Sequence, residues 1–124
     1  MFVAKGTDTA FVTQELDHIV VYSGDMADLD RIDLGTFDEE LVITAVTYNG
    51  QFVIAGYMVS DNSPFFIAGD GTEWTFIISE LDSPALFMDK TVVVTEDHVY
   101  TTNDYLTFVD VHAFVGAPTM AAFV

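Results

Sequence analysis

Apolar side chains along this chain fall in short runs separated by turn-forming residues, and the pattern predicts β-strands from end to end. Val, Ile, Phe, Tyr and Thr fill these runs, and such residues favour strands over helices. Asn49-Gly50 lies between two of the runs and is a strong hairpin signal. No segment has convincing helical periodicity, since the nearest candidate, 81–88, contains Pro84. The sequence therefore predicts an all-β fold.

The runs group into three units of about four antiparallel strands each. We expect these units at about 1–35, 41–79 and 84–111, within one domain of 124 residues. An apolar tail, 112–124, follows them. Three propeller-like units are the favoured interpretation, and an irregular β-sandwich made of the same strands is the alternative.

A short turn pattern occurs once in each unit. It has a small residue, an Asp two positions later, and a bulky apolar residue four positions after the Asp. The residues that carry it are Ser23, Asp25 and Leu29, then Ala68, Asp70, Gly71 and Trp74, then Thr102, Asp104 and Phe108. Hydroxyl and carboxylate oxygens at a hairpin tip can accept hydrogen bonds from the local backbone, and glycine can take the left-handed conformation there. We expect the closing residues Trp74 and Phe108 to be buried.

These residues resemble the Asp-box (BNR) repeat of sialidase-like β-propellers, most closely over 41–79. The other two units depart from the repeat, because Met26 and Tyr105 replace the Gly and Leu29 replaces the aromatic residue. The resemblance implies that each turn joins the last two strands of a blade. It first suggests sialidase activity, but such enzymes bind the substrate carboxylate with several arginines. Arg31 is the only arginine of this chain, so we exclude that activity.

The net charge of the chain limits the classes of partner that it can bind. The net charge is −17, and Lys5, Arg31 and Lys90 are the only strong cations. Binding to nucleic acids depends on Lys and Arg that neutralise phosphates, and attraction to anionic membranes depends on the same residues. We therefore expect no nucleic-acid partner and no membrane insertion. The chain has no cysteine, which excludes disulfides and thiolate zinc sites.

Two sets of polar residues are candidates for metal binding. Asp25, Asp28 and Asp30 lie in the densest acidic segment and could offer calcium oxygen ligands, but a solvated strand face explains them better. The three histidines are His18, His98 and His112. Their spacing is not that of a metal site, and the similar places of His18 and His98 indicate a repeated structural position. No cofactor is expected.

Aromatic side chains offer one further possibility, a platform on which a sugar ring could stack. Its candidates are Tyr48, Tyr57, Tyr100 and Trp74. Trp74 fits the core better, because Leu29 and Phe108 occupy the matching positions in the other units.

The function predicted from these features is that of a non-enzymatic structural protein. Three units are too few to close a propeller, and open sheet edges favour association. The apolar tail is expected to dock as a strand, and its largest apolar side chains are Phe114, Val115, Met120, Phe123 and Val124. A virion component, such as a bacteriophage capsid decoration or tail protein, fits best; a lectin-like carbohydrate-binding module is the alternative. Without a signal peptide at the first residues, we expect synthesis in the cytoplasm, with other virion proteins or further copies as partners.

Overall fold

The computed structural model describes residues 2–5, 8–15, 18–25, 27–36, 40–69 and 73–113, and these residues form twelve β-strands and no helix. The strands are β1 Phe2–Lys5, β2 Asp8–Glu15, β3 His18–Asp25, β4 Asp28–Thr36, β5 Leu41–Tyr48, β6 Phe52–Met58, β7 Pro64–Gly69, β8 Trp74–Ile78, β9 Phe87–Asp89, β10 Val92–Val94, β11 His98–Thr101 and β12 Val109–Ala113. The predicted all-β fold is thus confirmed. In the described ranges there is no helix long and apolar enough to cross a membrane.

The strands form three four-stranded antiparallel sheets. The first sheet contains β1 to β4, the second β5 to β8 and the third β9 to β12, each with its strands in sequence order. Every sheet is therefore a simple meander of hairpins. The three predicted units correspond to these three sheets.

The sheets follow one another with their first strands side by side, an arrangement consistent with a propeller-like or a sandwich fold. β1 lies beside β5, and β5 lies beside β9, so the first strands of successive sheets are neighbours. The second sheet lies between the other two. Because side chains alternate between the faces of a strand, neighbouring residues of β6 and β7 point to opposite sides: Phe65 packs towards the first sheet and Phe66 towards the third.

Large aliphatic and aromatic side chains fill the layer between the first and second sheets. Its buried members are Val12, Ile19, Val21, Leu41, Val46, Phe52, Ile54, Phe65 and Ile67. Burying one such side chain fully stabilises the fold by about 1.5–3 kcal/mol, so this layer holds the first sheet in place.

The side chains of the second sheet that face the third sheet are smaller than those that face the first. Hydrogen bonds also stabilise this second layer. Its buried members are Ala45, Val53, Ala55, Phe66, Ala68, Ala85, Met88, Val93 and Tyr105. The hydroxyl of buried Thr47 accepts a 2.8 Å hydrogen bond from the amide of Lys90, and the hydroxyl of Thr44 donates to the carbonyl of Ala85. β5 therefore fixes the third sheet through two threonines.

The last strand differs from the sequence-based bounds. We expected the third unit to end at residue 111 and the tail to begin at His112. β12 instead contains Val109–Ala113, because the turn before it extends through 102–108. The tail residues Phe114, Val115, Met120, Phe123 and Val124 lie outside the described residues.

Candidate functional site

The three predicted turn segments occupy the same connection in each sheet. All three join the third strand to the fourth: β3 to β4, β7 to β8, and β11 to β12. Ser23 and Asp25 lie at the end of β3. Asp70 and Gly71 lie outside the described residues. The third turn, 102–108, is described completely and shows what the pattern does.

In the third turn, the side chains of Thr102 and Asp104 make hydrogen bonds to backbone groups that have no partner on a neighbouring strand. The hydroxyl of buried Thr102 donates to the carbonyl of Thr107 (2.7 Å) and accepts from the amide of Tyr105 (2.9 Å). One carboxylate oxygen of Asp104 accepts from the amides of Leu106 (3.0 Å) and Thr107 (2.9 Å). All of these bonds stay within the turn. The small residue and the Asp of the pattern therefore stabilise a local fold.

The same bonds change the acidity of Asp104. The backbone amide of Thr107, and next that of Leu106, lower the pKa of this carboxyl below its ordinary value of 3.8, because they favour the charged form. A carboxylate held ionised in this way is a poor general acid. Its position indicates a structural role.

We expect Asp104→Asn to lower the urea midpoint of unfolding at neutral pH. A carboxyl whose pKa is lower in the folded state than in the unfolded state stabilises the fold at pH values above its unfolded-state pKa. That stabilisation is lost as the pH falls through the folded-state pKa. The difference between parent and variant should therefore be constant near pH 7 and shrink below about pH 3.8. Asp28→Asn, which removes the same charge from an exposed position, is the control. A difference that persists at low pH would contradict the role given to the carboxylate.

Tyr105 is the residue of this turn to which the sequence assigned no role. It stands where the turn pattern has glycine, and its φ of 59° is indeed left-handed. Its ring is only 3% exposed and lies 5.5 Å from the ring of Phe66, and its hydroxyl donates to the carbonyl of Lys90. Burial raises the pKa of this phenol. The third turn is thereby fixed to the second sheet.

Trp74 and Phe108 are half-buried, which corrects the expectation that both are buried. The ring of Trp74 stacks on Phe52 at 6.3 Å and lies against the backbone of Gly69. The ring of Phe108 stacks on Phe66 at 5.7 Å. Both residues stand where a turn meets the edge strand of a sheet, which leaves part of each side chain exposed.

Two histidines at equivalent positions of the first and third sheets each lie beside an aspartate of the next strand. His18, the first residue of β3, has Nδ1 3.0 Å from Oδ1 of Asp33 on β4. His98, the first residue of β11, has Nδ1 2.9 Å from Oδ2 of Asp110 on β12. The two pairs confirm the repeated structural position predicted for His18 and His98. The His18–Asp33 pair is hydrogen-bonded and ties β4 to β3, whereas Nδ1 of His98 is close to Asp110 without the geometry of a hydrogen bond.

The proposed aromatic platform is divided between two layers. Tyr48 and Trp74 both pack against Phe52, in the layer between the first and second sheets. Tyr100 packs between the second and third sheets, 6.0 Å from Phe108. These rings therefore do not form one continuous stacking surface.

Among the described residues, no three His, Cys, Asp or Glu side chains gather as a metal site would require. Asp28 and Asp30 are exposed on β4, and Asp25 pairs with Asp28 across the β3–β4 hairpin. This agrees with the solvated strand face that the sequence favoured for the acidic segment.

The outward-facing residues of β12 are the feature that sequence reasoning missed. All five residues of this edge strand are exposed. Two of them are apolar, Val109 (66% exposed) and Val111 (59% exposed), and Leu106 in the preceding turn is also exposed. Their alternation with Asp110 and His112 was visible in the sequence as an edge-strand pattern. Large apolar side chains at a sheet edge indicate a contact surface.

Comparison with known protein families, characterised proteins and solved structures finds no match to this chain.

Proposed function

We propose that this chain is a non-enzymatic structural protein that acts within an assembly, and that the assembly is a virus particle, with a bacteriophage capsid decoration or tail protein as the best fit. The observation that carries this proposal is the apolar, exposed edge strand β12 on an otherwise strongly acidic chain. Val109 and Val111 expose apolar surface that association would remove from water, at about 25 cal/mol per Å².

The polar features of the chain support the same proposal, because each has a local structural partner. Thr102 and Asp104 bond the turn that contains them. His18 and His98 contact aspartates of the neighbouring strand. The hydroxyl of Thr102 also lies 3.4 Å from Oδ1 of Asp104, and both groups are engaged by the backbone of the same turn.

The net charge of −17 opposes association, so assembly should respond to screening. At 0.1 M salt the Debye length is about 10 Å, against about 30 Å at 0.01 M. Sedimentation velocity across salt, calcium and mildly acidic pH is expected to show association that strengthens under each treatment. Association that weakens under all three would contradict an assembly driven by apolar contact.

Two further measurements test the particle itself. Mass spectrometry of gradient-purified virus particles from cells that carry the gene is expected to detect the chain at a fixed ratio to the major capsid or tail protein. Its absence from such particles would overturn the virion assignment. A glycan array is expected to show no saturable binding; saturable binding to one defined sugar would favour the lectin-like module instead.

A further inference from the structure

The tip of the β5–β6 hairpin carries an Asn-Gly dipeptide that is exposed to water. The two strands pair as far as Tyr48 and Phe52, so the loop between them contains only Asn49, Gly50 and Gln51, and all three are exposed. A hydrogen bond of 2.9 Å joins the backbone amide of Asn49 to the carbonyl of Gln51. Within the described part of the chain, neither the side-chain amide of Asn49 nor the backbone amide of Gly50 has a hydrogen-bond partner.

This pair of residues is chemically suited to the loss of the asparagine amide, a reaction that makes asparagine one of the heat-labile residues of proteins. The nucleophile is the backbone nitrogen of the following residue, and glycine has no side chain to crowd the approach to it. Nucleophile and target belong to the same chain, so no second molecule has to be brought into place. Nothing lies within 4 Å of the position that a Cβ of Gly50 would take, which leaves room for the ring that forms.

The other two asparagines of the chain, Asn62 and Asn103, are also exposed, so exposure does not distinguish the three. The residues that follow them do. The amide of Ser63 donates a 3.0 Å hydrogen bond to Oδ1 of Asp61, and the amide of Asp104 lies 3.4 Å from the threonine hydroxyl of its own turn, to which it donates. Both of these nitrogens are therefore engaged, and each is crowded by the side chain of its own residue.

We propose that Asn49 is a site of self-modification, at which the backbone nitrogen of Gly50 attacks Cγ of Asn49 and expels ammonia. A bond forms between the Gly50 nitrogen and Cγ, and the bond from Cγ to Nδ2 breaks. The proton lost by the Gly50 nitrogen leaves with the side-chain NH₂ group as ammonia. Water then opens the five-membered succinimide at one of its two carbonyl carbons. The products are aspartate and isoaspartate, and each adds one negative charge to a chain whose net charge is already −17.

Peptide mapping by mass spectrometry of the full folded chain, incubated in warm and mildly alkaline buffer, tests this proposal. The expected result is conversion of amide to acid at Asn49, with release of ammonia, while Asn62 and Asn103 keep their amides. The rate should rise with pH, because the nitrogen of Gly50 reacts after losing its proton. Cyclisation at Asp70-Gly71 would release water and not ammonia, so it does not contribute to this signal.

Two variants of the loop test the assignment of the reacting groups. Gly50→Ala crowds the nucleophile and should slow the conversion by at least about tenfold, which corresponds to about 1.4 kcal/mol in the activation barrier. Asn49→Gln keeps the amide but lengthens the side chain by one carbon, which prevents closure of a five-membered ring, so its amide should persist. Circular dichroism establishes that both variants are folded. Conversion in either variant at the rate of the parent chain would contradict the proposed attack.

Ser63→Gly is the matched control for the role of the unbonded amide. It gives Asn62 a following glycine whose nitrogen can still donate to Asp61, as that of Ser63 does. Asn62 should therefore convert more slowly than Asn49 in the same folded chain, whereas the two should convert at similar rates in guanidinium chloride, where only the local sequence acts. Equal rates in the folded variant would overturn the role of the unbonded amide.

The folded parent chain provides the decisive comparison. If Asn49 keeps its amide there and loses it only in guanidinium chloride, the folded loop blocks the reaction and the proposal fails. Equal loss at all three asparagines of the folded chain would overturn it as well. Neither result bears on the proposed role in an assembly, which the detection of the chain in virus particles tests separately.

Discussion

Tyr105→Ala is expected to lower the free energy of unfolding by roughly 3–5 kcal/mol, the cost of deleting a buried aromatic side chain. The ring of Tyr105 is buried against Phe66, and its hydroxyl donates to the carbonyl of Lys90. The substitution removes both contacts between the third turn and its surroundings. Urea denaturation followed by circular dichroism measures the loss. An unchanged midpoint would show that the turn does not depend on this residue.

The left-handed backbone at Tyr105 gives this prediction a second, sharper test. A residue with a Cβ at a φ of 59° is strained by roughly 1–2 kcal/mol, and glycine is not. Tyr105→Gly should therefore be more stable than Tyr105→Ala by about 1 kcal/mol, the reverse of the order found inside a strand. Leu106→Ala, at the exposed neighbouring position of the same turn, serves as the control and should change stability by less than about 0.5 kcal/mol.

The strands and their grouping were predictable because both depend on local signals. Apolar alternation and turn residues such as Asn49-Gly50 mark the hairpins of the second sheet. The position of the turn pattern, between the third and fourth strands, follows from the same order of strands. These strands and turns could be predicted without knowing which sheets contact each other.

Burial was predicted less well, because it depends on contacts between sheets. Trp74 and Phe108 are large aromatic residues of the kind that usually fill a core, yet each is only half-buried where a turn meets an edge strand. Val109 is an apolar strand residue and is nevertheless exposed, at the edge of the third sheet. Tyr105 was recognised as replacing the Gly of the turn pattern, but its burial was not predicted, because that burial depends on its contact with Phe66 in another sheet.

Gly56 was also not recognised, although its position tolerates no side chain. It pairs with Ile43, where the β5–β6 register shifts between Ile43 and Ala45. A Cβ at Gly56 would lie 1.9 Å from the carbonyl oxygen of Val42 and 2.9 Å from the ring of Phe65. The bulge in β5 therefore brings backbone into the space that a side chain would need.

Gly56→Ala should consequently lower the free energy of unfolding by about 3 kcal/mol, at the upper end of the cost of overpacking. The nearest obstacle is a backbone oxygen, which cannot move without opening the hairpin. Shortening the ring with Phe65→Leu in the same chain should therefore not restore stability. Recovery in that double variant would show that the ring, and not the Val42 carbonyl, sets the limit.

Gly50→Ala separates this steric effect from the backbone preference of glycine. Gly50 has a φ of 74° and nothing within 4 Å of the position of an added Cβ, so alanine there should cost about 1 kcal/mol through backbone strain alone. Gly56 has an ordinary φ, and its cost is steric. Urea midpoints of the two variants, measured at the same protein concentration, are expected to differ by about 2 kcal/mol when converted to free energies. Equal losses at the two positions would mean that β5 can relax away from Gly56, and that the bulge does not fix the spacing of the β5–β6 hairpin.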